Sequence, residues 1–403
     1  MSARVLAIGL MSGTSLDGMD AALIEAERSR PGKYRPRLRA FVSRAYGRAL
    51  REEIARVAHG GRTDVAGLAR LDREIAQLAA RTVLEVCRRA KVGPREVAVV
   101  GSHGQTIFHG PAAGGAGVTV QIGAPSRIAA LTGITTVGDF RTADMVVGGE
   151  GAPLMPIVHR MLFSDRRRRR AIQNLGGIGN VTWLGRGGEE ILAFDTGPGV
   201  MVIDAVVRAV SRGRLAFDRG GRLAASGRVD HDLVRALLRD GYFVRRPPKS
   251  TGREMFGQRF ARAFVARGRR RRLAGADLVA TATAFTAASI EDQYARFVSA
   301  RRGLDEVWLA GGGARNPALV RAIAERLAPI PVGPIEAIGG HADGLEAIGF
   351  AVLGLAALDG VRFDLRTITG AREPVALGVI APAGPGRHRG VGSGSRASQR
   401  PRR

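Results

Sequence analysis

Hydrophobic positions in this chain fall into short solid runs and longer stretches at helical spacing, and the two kinds alternate along the sequence. Val5–Leu10 is a solid run that enters Gly13-Thr14-Ser15-Leu16-Asp17-Gly18, the pattern of a strand ending at a tight turn. Met19–Glu25 and Arg37–Ala45 extend it as a hairpin or meander. Helical spacing follows in Ala49–Val57 and more strongly in Val65–Ala90. Val97–Gly101 then predicts a buried strand running into Gly101-Ser102-His103-Gly104-Gln105-Thr106. In the second half, Ala171–Asn174, Val181–Leu184 and Ile191–Phe194 predict strands, the last ending at Asp195-Thr196-Gly197-Pro198-Gly199. Helices are predicted at Met201–Val210, Asp230–Arg239 and Leu278–Ala300, and Val307–Ala310 is a strand leading into Gly311-Gly312-Gly313.

Each half therefore has strands around a glycine turn, a long helix, another strand and a second glycine turn. The likeness is one of plan, not of sequence. It predicts a duplicated α/β lobe, each copy a parallel or mixed sheet covered on both faces, with a ligand between the copies at the C-terminal ends of the strands. Residues 1–137 are expected to form the first lobe, with 350–382 packing back on it, and 138–349 the second. Residues 383–403 are expected to be a disordered basic tail.

Length and composition agree with two lobes: 403 residues exceed a typical single domain, and 45% are hydrophobic. No uninterrupted apolar stretch is long enough to span a bilayer, and Ala347–Leu358 has the length of a buried helix. Val5–Met11 flows directly into a glycine turn and reads as a first strand rather than a signal peptide. The single cysteine, Cys87, excludes an intramolecular disulfide and a multi-cysteine metal site, and the expected location is cytoplasmic.

A formal charge of +26 raises nucleic acid or membrane as partners, but its distribution argues against both. The positive charge is almost all arginine, with lysine only at Lys33, Lys91 and Lys249, and much of it sits in Arg166–Arg170, Arg267–Arg272 and the tail. Aromatics make up only 5% and do not interleave with the basic runs, so no stacking platform for single strands exists. The runs read as solvated loops, and no specific nucleic-acid partner is expected.

Candidate chemistry concentrates at the glycine turns. In Met11–Asp20, glycines permit close backbone approach to phosphate and Thr14 and Ser15 supply hydroxyls; Asp17 can approach a phosphate only through Mg²⁺ or water. The same residues also suit a plain tight hairpin. No Walker lysine motif occurs, which argues against a P-loop nucleotidase. Asp195 suits a base at the mouth of a cleft, or a cap for the helix that follows. His103, Gln105, Thr106, His109 and Gln121 are uncharged hydrogen-bonding groups fitted to sugar hydroxyls or an acetamide, or to loop bonding; the two histidines lack metal-ligand spacing. Arg141 can clamp a carboxylate bidentately or serve in a hinge ion pair. Lys249, in Pro247–Glu254, reads as part of a surface loop. Gly311–Gly313 with Asn316 suits an adenosine or its phosphates, or a simple helix entry. Glu346 starts a buried apolar helix, as a dipole-favoured residue or a ligand contact.

Taken together, these segments identify a resemblance. Gly9–Asp20, Ser102–Thr106, Gly148–Pro156, Asn174–Asn180, Asp195–Gly199, Pro247–Glu254 and Leu309–Asn316 resemble, in order and up to about Leu377, the anhydro-N-acetylmuramic acid kinases of the sugar kinase–Hsp70–actin superfamily. Val200 departs from the asparagine usual in that family, and Gly344 and Gly349 from its alanines. The resemblance implies a two-lobed actin/hexokinase-like fold, a ribonuclease H-like unit duplicated around an ATP cleft. It implies a cytoplasmic kinase of peptidoglycan recycling, expected as a homodimer, that uses ATP, Mg²⁺ and water to open 1,6-anhydro-N-acetylmuramic acid and phosphorylate O6. Asp195 would be the base. Gly13, Thr14, Ser15, Leu16, Asp17, Gly18, Met19 and Asp20, with Gly311, Gly312, Gly313 and Asn316, would hold the nucleotide, and Asp17 the metal. Ser12, His103, Gln105, Gln121, Arg141 and Glu346 would meet the sugar. The rival readings are a superfamily kinase for another sugar and a non-enzymatic nucleotide-gated binding protein.

The segment from about Gly384 has dense arginine and no apolar periodicity, so its removal is expected to leave activity intact. Turnover assays of the truncated chain check this; lost activity with an unchanged melting profile would place the tail in the site.

Overall fold

The structure, a computed structural model, describes residues 3–13, 16–110, 117–299 and 302–384; Thr14, Ser15 and the tail beyond 384 lie outside them. Two sheets organise the chain. The first holds β1 (Ala3–Ser12), β2 (Gly18–Arg30), β3 (Lys33–Ala45), β4 (Val97–Gly110), β5 (Val118–Ile122) and β6 (Thr136–Gly138). The second holds β7 (Arg170–Leu175), β8 (Ile178–Leu184), β9 (Ile191–Pro198), β10 (Glu306–Ala310) and β11 (Val332–Pro334). A short ribbon follows, β12 (Arg362–Phe363) with β13 (Val375–Ala376), and β14 (Val379–Ala381) returns to pair with β6.

The two sheets share one topology. In the first, β3-β2-β1 is an antiparallel meander and β4 and β6 lie parallel to β1 on its other side. In the second, β9-β8-β7 repeats the meander and β10 and β11 repeat the parallel pair. This is a ribonuclease H-like unit occurring twice, the plan of the actin/hexokinase-like fold, and the sheets are mixed as expected.

Helices cover the sheets for reasons visible in the sequence. Val65–Ala90 places Leu71, Ile75, Ala79, Val83 and Val86 toward the first sheet, at helical spacing. Its entry is capped by Asp64, which accepts the Gly67 N–H at 2.6 Å. Gly275–Tyr294 is apolar on nearly every face and runs through the second-lobe core. Leu345–Leu358 is likewise apolar all round. It lies in a third cluster that joins Ala7, Val99 and Val137 of the first sheet to Ile172, Leu184 and Ala310 of the second.

That last helix lies directly on strand backbone. A Cβ at Gly9 would fall 1.7 Å from the Ala347 carbonyl oxygen, and one at Gly101 would fall 1.9 Å from that of Phe350. The approach is possible only because both strands carry glycine there.

Several element boundaries differ from the sequence expectation: β2 runs on to Arg30, β3 starts at Lys33, the α-helix expected over Leu278–Ala300 spans Gly275–Tyr294, and two strands pass through expected turns. β4 does not stop at Gly101 but continues through Ser102–Thr106 to Gly110, and β9 continues through Asp195 to Pro198. The glycines that read as turn signals are absorbed as irregularities inside the strands: Gly104 has φ +73° and Gly197 φ +126°.

Gly9→Ala is expected to unseat the Leu345–Leu358 helix and to cost at least the ~1–3 kcal/mol typical of overpacking. Gly241→Ala, which meets nothing within 4 Å, should be neutral or slightly stabilising. Paired thermal melts of the two variants check the contrast.

Candidate active site

The turn after β1 is built from backbone. Leu16 has φ +58° and its side chain is buried in the first-lobe core, as is Met19, so both can offer a ligand only main-chain atoms. A Cβ at Gly18 would strike the Arg44 carbonyl at 2.3 Å. Asp17 is exposed and lies 3.7 Å from the Arg51 guanidinium. Asp20 is half-buried; burial pushes its carboxyl up, the Ser43 hydroxyl holds it down, and Asp17 adds to the rise.

Beside this turn, part of the sugar-fitted set is consumed by the protein itself. Ser12 and Gln105 are buried. The Ser12 hydroxyl donates to Gln105 Oε1, which also accepts from the Tyr46 hydroxyl at 3.0 Å. Gln105 Nε2 donates to the Gly13 carbonyl at 3.4 Å and to that of Thr106 at 3.1 Å. These two residues therefore brace the turn from beneath. Tyr46, not among the candidate residues read from the sequence, completes the brace. Gln121 donates to the hydroxyls of Thr119 (2.6 Å) and Thr106 (3.3 Å) and stays half-buried on β5.

Arg141, His103 and Glu346 come together. Arg141 donates to the Gly151 carbonyl at 2.6 Å and to His103 Nε2 at 2.7 Å. Because a guanidinium can only donate, His103 Nε2 must be the acceptor, and the proton sits on Nδ1, 3.3 Å from the Ser12 carbonyl. Burial and then Arg141 push His103 down to about 3, so it is neutral near pH 7 and cannot act there as an acid. Burial lowers Arg141 to about 10, with Glu346 and Asp144 opposing, so it remains a cation. Two of its five donors are used, which leaves three for a ligand. Glu346 is reached by solvent yet closely surrounded by protein; that crowding and Asp20 push its carboxyl up, and Arg141 holds it down. No hinge ion pair to Arg141 forms among the described residues. Asp144 instead binds the connection to the C-terminal segment, accepting the Gly151 N–H and the Thr369 hydroxyl, each at 2.7 Å.

Asp195 anchors a second cluster. The helix Val200–Val210 begins at Gly199 with no side-chain cap, so the capping alternative for Asp195 fails. Its carboxylate accepts the Thr251 N–H at 2.8 Å. Burial pushes it up to about 6; the Thr251 bond and Lys249 lower it, and Glu254 raises it. The Thr251 hydroxyl beside it is buried and has no protein partner. The loop carrying Lys249 is not the surface loop expected: Lys249 is 6% exposed. A lysine kept among arginines marks the residue in the sequence, but not its burial. Tyr242, which the sequence reading missed, donates its hydroxyl to the Asp195 carbonyl at 2.6 Å.

The third cluster is the turn after β10. Gly311 has φ +80°, a Cβ there would lie 2.3 Å from Asn174 Oδ1, and Gly312 faces open space. Asn316 caps the helix Pro317–Leu327, accepting from Ala318 N–H (3.1 Å) and Leu319 N–H (3.2 Å). Its carbonyl oxygen is thus committed to the fold. A hollow of about 220 Å³ lined by Gly220, Gly221, Ala224, Thr283, Pro317 and Ala318 lies alongside. No hydrogen bond or ion pair among the described residues joins the Arg141 cluster to the Asp195 cluster. No group of three or more His, Cys, Asp or Glu able to hold a metal occurs among them, and no helix is long and apolar enough to cross a membrane.

The profile of the family described as anhydro-N-acetylmuramic acid kinase matches residues 5–383. A protein of that name from Gloeobacter violaceus is 45% identical over 384 residues, covering 94% of this chain and 99% of its own. One from Caldanaerobacter subterraneus subsp. tengcongensis is 38% identical over 383 residues, covering 93% and 96%. One from Salinibacter ruber is 40% identical over 390 residues, covering 95% and 97%. The chain belongs to the anhydro-N-acetylmuramic acid kinase family.

Proposed function

We propose that this chain uses ATP, Mg²⁺ and water to open the 1,6-anhydro ring of anhydro-N-acetylmuramic acid and to phosphorylate O6, giving N-acetylmuramic acid 6-phosphate for peptidoglycan recycling in the cytoplasm. The observation that carries the reading is Asp195: a desolvated carboxylate, held by a main-chain N–H, with its pKa raised to about 6. Such a group is ionised at neutral pH and basic enough to take a proton from water.

In the reaction, Asp195 removes a proton from a water whose oxygen bonds to C1. The C1–O6 bond breaks, O6 bonds to the γ-phosphorus, and the bond from that phosphorus to ADP breaks. The proton leaves Asp195 for solvent afterwards. The orphaned Thr251 hydroxyl supplies a partner for that water. Arg141, with three free donors, takes the lactyl carboxylate, and Glu346 a sugar hydroxyl or the acetamide. His103 fixes the orientation of Arg141 without titrating. Ser12 and Gln105 act indirectly by holding the phosphate turn, and Gln121 takes the outer part of the sugar.

The backbone turn at Gly311–Gly313 is open at Gly312, which fits the adenosine side, with the hollow beside Pro317 available to the base. Gly13, Gly18 and the main chain from Thr14 to Asp20 take the phosphates. The donor set fits a Mg²⁺ held mainly by phosphates and water, with Asp17 as an outer carboxylate, because the described residues offer no three-carboxylate cage. Magnesium there would neutralise phosphate charge. We assign residues 1–137 with 350–382 to one lobe and 138–349 to the other; the pairing of β14 with β6 supports the return of the C-terminal segment. The open edge of β14, with Val379 and Ile380 exposed, supports pairing of two copies as a homodimer.

Asp195→Asn should lower kcat by ~10²–10⁴ while calorimetry still finds ATP and sugar binding. The wild-type rate should rise as pH increases through 6, because the base is active only once ionised and its carboxyl is raised to about 6. Near-normal turnover of Asp195→Asn would remove Asp195 from the chemistry.

Arg141→Lys should raise KM for the sugar and leave that for ATP unchanged, because lysine cannot form a bidentate fork. Equal damage to both constants would make Arg141 a structural residue.

A further inference from the structure

Lys249 is one of three lysines in the chain, and it is buried. Its ammonium lies 4.5 Å from the ring centroid of Tyr242, 5.1 Å from that of Phe297 and 5.9 Å from that of Phe194. It has no ion pair with a carboxylate among the described residues. Burying a charge in this way is costly, and aromatic faces return only part of the lost hydration. A methionine would fill the same cage at less cost, so the charge has work elsewhere.

The hydrogen bonds indicate where. Lys249 Nζ donates to the Tyr242 carbonyl at 3.1 Å. The Tyr242 hydroxyl donates to the Asp195 carbonyl at 2.6 Å. The Asp195 N–H donates to the Lys249 carbonyl at 3.1 Å. The three residues form a closed ring, and two residues beyond Lys249 the Thr251 N–H grips the Asp195 carboxylate at 2.8 Å. The main chain of Asp195 is thereby held on both sides, and its side chain is held by the same loop.

We propose that Lys249 is a positioning residue for Asp195, closing the Lys249–Tyr242–Asp195 ring and placing a caged positive charge behind the carboxylate. This rests on the reading of Asp195 as the base. Lysine suits the place because a compact ammonium fits three rings and one carbonyl, whereas a planar guanidinium needs a wider site.

The charges around the pair set the direction of the effect. Asp195 faces Glu254, which raises its pKa, and Lys249, which lowers it; the Tyr242 phenol also borders it and stays protonated. Lys249 faces Asp292 and Asp195, which favour its charge, and Arg245 and Arg296, which oppose it. Burial dominates and brings it to about 8, so it is still mostly charged at pH 7. Removing the charge leaves only the Thr251 N–H to oppose burial and Glu254, and Asp195 should then titrate higher.

The test compares full-length wild type, Lys249→Met, Tyr242→Phe and Asp195→Asn, reading kcat, both KM values and the pH profile, with melting curves alongside. Lys249→Met should lower kcat at pH 7 by ~10–100-fold, up to the order expected for a catalytic group displaced by about 1 Å, and move the acid limb upward, with both KM values unchanged. A filler role would lower the melting temperature alone. A folded Lys249→Met with wild-type kcat and an unmoved limb overturns the proposal. If that variant does not fold, Tyr242→Phe carries the test, since it cuts only the hydroxyl bond to the Asp195 carbonyl: a several-fold fall in kcat supports the ring, and an unchanged kcat overturns it. Asp195→Asn separates the two readings. Normal turnover there removes the base itself, whereas an inactive Asp195→Asn beside a wild-type Lys249→Met removes only the role given to Lys249.

Discussion

The contact on which the rest of the molecule depends is helix backbone against strand backbone, where Leu345–Leu358 lies on Gly9 and Gly101. It brings the end of the chain back to its first strand and joins side chains of both sheets in one cluster. It also sets the site. Phe350, at the Gly101 crossing, meets His103 with ring centroids 4.8 Å apart and Phe140 at 5.4 Å. His103 fixes one arm of Arg141, and Glu346 stands in the first turn of the same helix. The positions of a histidine, an arginine and a glutamate thus follow from two missing Cβ atoms.

Duplication gives the two lobes one topology and different tasks. In the first lobe, the end of β1 opens into a turn braced by buried Ser12, Gln105 and Tyr46. In the second, the corresponding turn between β7 and β8 carries no carboxylate, and the charged group has moved to β9, where Asp195 faces a loop from outside the sheet. The Gly176 and Gly177 carbonyls accept from Val200 and Gly199 N–H at 2.8 and 3.0 Å, so that turn is used to hold the start of the Val200–Val210 helix. One scaffold therefore presents a braced glycine turn on one side and a fixed, desolvated carboxylate on the other.

Much of this was legible in the sequence, and the failures have physical causes. The helix Val65–Ala90 was found with its ends, because an amphipathic face and an Asp cap agree. The duplicated plan was legible because solid apolar runs mark the central strands. The glycines in Ser102–Thr106 and Asp195–Gly199 misled, because a glycine with positive φ serves a bulge within a strand as well as a turn at its end. Hydroxyls and amides gave residue type but not direction: Ser12 and Gln105 face inward and satisfy one another, which only the fold decides. The rarity of Lys249 was legible but its burial was not, since a buried ammonium and a surface one read alike until rings such as Tyr242 are placed around it.

The raised pKa of Asp195 also has to be reconciled with a chain of formal charge +26, which would stabilise carboxylates and push their pKa down. Distance and screening resolve the conflict. Many arginines are exposed or paired, as Arg169 is with Asp305 and Arg271 with Asp230, and charges beyond about 8 Å are largely screened at physiological salt. Burial acts locally and is not screened, so it wins at Asp195. Among the nearby cations, Lys249 opposes it directly, and burial outweighs that opposition. The environment of the Asp195 carboxylate is therefore set within one loop and one strand.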